Sequence, residues 1–213
     1  MASPFANFSD AFWNVEWRCV GVWNAILNQY FPSQQKWIVG PEGYPCPDDT
    51  QGLMADLVVS PVVQVQGLQW TTANPILTLE GKGRTPTDNY DVIQTQMLAW
   101  CRRGLANNNN AVSQFSCWAV GVSGYFVKFY AFDPLNPSSD GTQGQLVRLG
   151  IDRDPTTGAP NICKCERLAQ VITTDPKWAD VQAMMELISQ RPIIDSAYIQ
   201  ALPARRPTGM DIE

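Results

Sequence analysis

Apolar positions fall into two strong helical patterns in the first half of the chain, with short apolar runs between and after them. Phe12, Trp13, Trp17, Val20, Trp23, Ala25, Ile26, Leu27 and Tyr30 make one broad apolar face. Ser9 or Asp10 can cap that helix, and Phe31-Pro32 ends it. Val92, Ile93, Met97, Leu98, Trp100, Cys101 and Leu105 define a second helix over residues 90–105, with Arg102 and Arg103 in a C-terminal turn that suits positive charge. Between the two, strands are predicted at residues 36–39, 54–59 and 76–82. A Pro/Gly-rich loop starting at Gly40-Pro41 separates the first two of these strands. Residues 62–65 extend the second strand beyond a Ser60-Pro61 break, and residues 67–75 form a turn or loop.

Residues 84–89, before the second helix, read as polar loop, and residues 107–110 after it are a run of Asn that reads as a linker. Residues 115–121 and 125–132 form a hairpin across Ser123-Gly124. A polar loop at 135–144, a strand at 146–151 and a turn at 154–160 follow, while 162–172 fits either strand or helix. Asp175-Pro176 starts a helix that runs to about Gln190, with Asp175 as its cap and Pro176 first inside. One domain is expected over residues 1–202, with a core at about 9–133, a C-terminal elaboration at 134–202 and a disordered tail at 203–213.

Composition narrows the chemistry. The chain has 213 residues, 45% hydrophobic and 16% charged, with eight Trp, enough to bury a sizeable core. Its net charge of −5 gives no basic nucleic-acid footprint, although carboxylates with bound Mg²⁺ can lie in a locally basic groove. There is no His, which removes Ser-His-Asp, Cys-His and His-ligated metal chemistry and favours hard cations on oxygen ligands. Cys19, Cys46, Cys101, Cys117, Cys163 and Cys165 contain no CxxC pair and read as reduced thiols, a disulfide framework being the second reading. That usage, with no visible signal peptide and no run of eighteen apolar residues, places the expectation in an intracellular compartment, cytoplasmic or nuclear, without a membrane span.

The chemistry-bearing pattern sits on the third strand. Side chains alternate along a strand, so Glu80 and Lys82 share a face while Gly81 fills the other. Six Glu and five Lys give about 0.14 Glu-x-Lys triplets by chance, so the triplet alone also fits a same-face ion pair at a surface strand end. Asp56, amid Met-Ala-x-Leu-Val-Val on the preceding strand, is costly to bury without a partner, which Lys82 or a metal supplies. A plain Asp56–Lys82 ion pair is the alternative.

An Asp on one core strand and Glu-x-Lys on the next, set in the order helix, three strands, helix, strand, resembles the PD-(D/E)xK, or restriction-endonuclease-like, nuclease superfamily over about residues 9–133. The broad layout is similar to uncharacterised fungal members. Gln96-Met97-Leu98-Ala99-Trp100 resembles the Gln-x-x-x-Tyr element of the RecB-like branch, with Trp100 in place of Tyr. The resemblance implies an α/β fold with an αβββαβ core, a mixed central sheet flanked by helices and a C-terminal strand and helix extension. It implies a Mg²⁺ site, with Mn²⁺ as a substitute, on Asp56, Glu80 and the Gly81 carbonyl, with Glu16 as an additional acidic ligand. Lys82 would orient water or stabilise charge on the phosphate, and Gln96 would position water or the phosphodiester. Arg84, Arg102 and Arg103 are candidates for phosphate contacts, against a reading as solvated charges. The expected activity is phosphodiester hydrolysis of nucleic acid, DNA in preference to RNA. The alternative is a binding or protein-interaction module that keeps the fold without turnover. A carboxylate glycosidase built on Asp56 and Glu80 is a third class, in which Lys82 has no clear role.

Overall fold

The computed structural model describes residues 2–45, 54–65, 69–84, 90–107, 115–137, 141–165 and 170–204. The first predicted helix divides in two, α1 (Asp10–Trp13) and α2 (Glu16–Tyr30). Trp13 explains the break. Its side chain is fully buried, and its carbonyl accepts from the Arg84 amide at 2.8 Å instead of continuing the helix. Gly83 comes so close to the Asn14 carbonyl that an added Cβ would lie 2.3 Å from that oxygen. The break therefore seats the start of α2 against the end of the Glu80 strand.

Strands β1 (Trp37–Gly43), β2 (Ala55–Val65), β3 (Gln69–Thr72) and β4 (Leu77–Lys82) follow. Three expectations are corrected here. The first strand continues through Gly40-Pro41, because β1 lies at the outer end of the sheet path, where a proline's missing N–H costs no ladder bond. β2 runs unbroken through Ser60-Pro61, pairing Ser60 with Ile38 and Pro61 with Trp37. The stretch read as a turn contains β3, which pairs with the far half of β2 from Val62 to Val65.

Helix α3 (Tyr90–Asn107) then crosses from β4 to β5 (Cys117–Ser123), which lies parallel to β4. β6 (Phe126–Asp133), β7 (Gln145–Arg153) and β8 (Pro160–Lys164) add antiparallel neighbours, and β9 (Gln170–Val171) pairs with β6. The ambiguous stretch thus holds strand up to Lys164 and again at Gln170–Val171; 166–169 lie outside the described residues. Helix α4 (Asp175–Gln190) is capped at Thr174, so Asp175 lies inside the helix. A further short helix, α5 (Ser196–Ala201), was not expected; Asp195 caps it by accepting from the Tyr198 amide at 2.7 Å. Pro203 and Ala204 belong to the fold, since the Lys164 amide donates to the Pro203 carbonyl and Ala204 bridges Lys164. Residues 205–213 lie outside the described residues, as do 85–89, 108–114 and Cys46.

The result is a mixed α/β fold around one mixed sheet, with the strand path β1-β2-β4-β5-β6-β7-β8. One face carries the larger core, where Trp23, Ile26 and Leu27 of α2 and Val181, Met184, Met185 and Ile188 of α4 meet Leu57, Leu79, Val120 and Phe129. The other face is covered by α3 through Ile93, Met97, Trp100 and Cys101. Each large apolar side chain buried this way contributes roughly 1.5–3 kcal/mol. The five described cysteines are free thiols, and burial pushes the Cys19 thiol up to about 11. Among the described residues, no helix is long and apolar enough to cross a membrane.

Candidate functional site

The candidate residues gather where β2 and β4 part. Their antiparallel pairing ends at Leu57 opposite Leu79, so Asp56 and Glu80 are the next residues along each strand. Past that point the inter-strand donor at Gly81 is met by a side chain: the Gly81 amide donates to Asp56 Oδ2 at 2.7 Å. Gly81 also allows α2 to approach, since a Cβ there would lie 3.0 Å from Val20 Cγ2. Glu80 is buried on the sheet face covered by α3, and Lys82 stands two residues further on the same face.

Lys82 Nζ donates to Glu80 Oε1 at 2.9 Å and to Glu16 Oε1 at 3.4 Å. Glu16 reaches it because it is the first residue of α2, where the unpaired helix amides also favour a carboxylate. Two acids therefore touch one ammonium and a third, Asp56, acts on it through its charge, with Glu16 and Lys82 partly open to solvent and Asp56 half-buried.

Burial is the main influence on both inner acids. It raises Asp56 above the usual carboxylate range against the Gly81 amide and Lys82, which pull it down, while Glu16 and Glu42 push it further up. It raises Glu80 against the Lys82 hydrogen bond, with Asp56 and Glu16 adding repulsion. For Lys82 burial acts downward, but the Glu80 hydrogen bond and the charges of Glu80, Asp56 and Glu16 outweigh it and hold the ammonium above its ordinary value. One ion pair thus has a satisfied base and an unsatisfied acid. The cause is burial first, with repulsion from the neighbouring acids added to it.

Donor type and charge together decide whether a hard divalent cation fits. The donors are oxygens: the Asp56 and Glu80 carboxylates, the Gly81 carbonyl, and Glu16 at the rim. Among the described residues no group of three or more acidic or thiol side chains is placed to hold a metal ion, so side chains alone form no site. Mg²⁺ is commonly held by one or two carboxylates plus substrate and water oxygens, so the set fits by charge and donor type.

The other expected residues are spread out. Gln96 is exposed on α3, where its neighbour Met97 is the residue turned into the core. Trp100 is buried, and its indole N–H donates to the Gly43 carbonyl at 2.9 Å. Arg84 lies near the site, but pairs with Asp10 at 3.0 Å and sits 4.7 Å from the centre of the Tyr125 ring. Arg102 and Arg103 lie in the C-terminal third of α3, whose first turn follows β4, so the helix carries them away from Lys82. Arg102 donates to the Gly144 carbonyl at 3.2 Å.

Sequence reasoning missed two charged neighbours. Glu42 was concealed in a stretch read as loop; it is the last residue but one of β1, beside Gly43, which pairs with Ala55 next to Asp56. Lys128 reaches the Glu80 face through register alone, because Glu80 pairs with Gly121 and Gly121 with Lys128. Its ammonium lies 3.6 Å from the centre of the Tyr90 ring at the start of α3. Only the hairpin alternation could have indicated it. No family model, curated protein or solved structure matches the chain.

Proposed function

We propose that this protein is a Mg²⁺-dependent nuclease that hydrolyses phosphodiester bonds, acting on DNA in preference to RNA, and that its fold is a restriction-endonuclease-like variant. The observation that carries the reading is the cluster of Glu16, Asp56 and Glu80 around Lys82, at the point where β2 and β4 part. The order α2, β1, β2, β4, α3, β5, with β4 and β5 parallel, is consistent with an αβββαβ core in which β3 is an added strand.

Asp56, Glu80 and the Gly81 carbonyl would hold the cation, with Glu16 at its edge. A divalent cation bound there supplies Lewis-acid polarisation of the phosphoryl oxygen and acidifies water. Lys82 provides a fixed ammonium for charge that develops on the phosphate, kept protonated by the acids around it. The raised acids mean that lowering pH neutralises the donor set early, so activity should fall on the acid side above the usual carboxylate range.

The test is cleavage of single- and double-stranded DNA with Mg²⁺ or Mn²⁺ by wild type, Asp56→Ala, Glu80→Ala and Lys82→Ala. Each variant is expected to lose roughly 10²- to 10³-fold in rate. Unchanged cleavage by Lys82→Ala would overturn the assignment. A second reading, a fold that binds without turnover, is favoured by the internal satisfaction of the site. The Gly81 amide already engages Asp56, Lys82 already engages Glu80, and Gln96 is turned to solvent.

A further inference from the structure

We infer that the start of α2 is a stacking platform for an unpaired nucleotide, so that the substrate of the proposed site is single-stranded nucleic acid or a splayed end. This inference rests on the nuclease reading for its scissile phosphate and on separate residues for its contacts. Trp17 follows Glu16 directly and is 71% exposed, a large ring left in water one residue from a carboxylate that touches Lys82. Arg18 lies between two rings, its guanidinium 5.2 Å from the centre of Trp17 and 5.6 Å from that of Phe12. Phe8, 40% exposed, continues the aromatic surface with its ring 4.4 Å from Phe12. Among the described residues no carboxylate pairs with Arg18.

The chemistry matches one class of ligand. An open indole face offers stacking to any base, and a guanidinium that pairs with no carboxylate among the described residues offers two donors to a phosphate oxygen. A nucleotide carries both a flat ring and an anion in adjacent positions. Duplex bases are already stacked on their neighbours and present no free face, so the platform selects an unpaired one. Overall charge favours the same choice. At −5 the chain gains little from counterion release along a long duplex, and stacking becomes the main source of affinity.

The experiment measures anisotropy of a fluorescein-labelled single strand and of a duplex of the same sequence, in EDTA, with wild type, Trp17→Ala and Arg18→Gln. Trp17 is exposed and Arg18 partly so, and sedimentation and thermal melting check that the variants fold as wild type does. The expected result is single-strand binding by wild type that weakens about tenfold or more in Trp17→Ala, severalfold in Arg18→Gln, and changes less than twofold for the duplex. Equal loss on both probes, no loss on either, or no wild-type binding to the single strand would overturn the inference. So would a Trp17→Ala variant whose only change is its oligomeric state, which would assign the surface to a protein partner. Single-strand binding that depends on Trp17 in a protein that does not cleave with Mg²⁺ or Mn²⁺ supports the platform and rejects the nuclease reading. Cleavage that ignores Trp17 and prefers duplex does the reverse.

Discussion

Two buried carboxylates in this molecule are handled in opposite ways. Asp133, at the end of β6, is fully enclosed and surrounded by neutral donors. The Leu135 amide reaches it at 3.1 Å, the Ser196 hydroxyl makes a short hydrogen bond to the same oxygen, and the Gln200 amide approaches the other at 3.5 Å. Gln200 also bonds Ser196 at 3.1 Å, so this carboxylate fastens α5 to the sheet. Glu80 is almost as buried, at 5% exposure, yet its partner is a single ammonium shared with Glu16 and influenced by Asp56. A carboxylate enclosed by neutral donors is complete as it stands. One that competes with other acids for one lysine has an electrostatic deficit that an external cation would relieve.

The largest effect on stability should come from the first region. Asp133→Ala leaves the Ser196 hydroxyl and the Leu135 amide without their acceptor, a loss on the order of 3 kcal/mol. Urea unfolding should show it as a lower midpoint at unchanged slope, while cleavage per folded molecule stays at the wild-type level. A loss below about 0.5 kcal/mol would mean that the network does not hold α5, and the comparison would fail on the structural side.

Much of the fold was legible because its elements follow apolar periodicity. Residues 90–105 read as helix, and α3 occupies Tyr90–Asn107. The strands at Leu77–Lys82, Cys117–Ser123 and Phe126–Asp133 stand close to where alternation and the Ser123-Gly124 turn put them. What failed was set by distant partners. The Arg84 amide breaks the first helix at Trp13, and pairing with β2 keeps Gly40-Pro41 in a strand. α5 is six residues long, too short for a periodic signal, and is held by Asp133, sixty-three residues away from Ser196. In the site, the Glu-x-Lys spacing carried Glu80 and Lys82, because strand alternation is local. Glu42 comes from strand register, which no local pattern contains, and Lys128 from register at which only the hairpin alternation hints.

A smaller effect sharpens the contrast. Glu80→Gln should abolish cleavage but change stability by less than about 1 kcal/mol, since the amide oxygen still accepts from Lys82 and one repelling charge is removed. The pH dependence follows the same logic. Asp56 and Glu80 are raised by burial, so the folded state holds more protons than the unfolded one from the ordinary carboxylate range up to the raised values. Their contribution to stability therefore falls as pH rises through that window. Lys82 is raised as well, so its contribution is complete below the ordinary lysine value and is lost as pH rises through the raised one. Urea midpoints across pH should show a shallower fall through the carboxylate window in Glu80→Gln than in wild type. Identical profiles would mean that Glu80 is not electrostatically burdened.

The most direct measurement is calorimetric titration of Mn²⁺ into wild type, Asp56→Asn, Glu80→Gln and Trp17→Ala. The predicted result is saturable binding in wild type and Trp17→Ala, at least tenfold weaker in the two carboxylate variants and tighter as pH rises above the carboxylate window. Absence of binding in wild type, or equal affinity in all four proteins, would contradict the claim that the acids around Lys82 are a cation site.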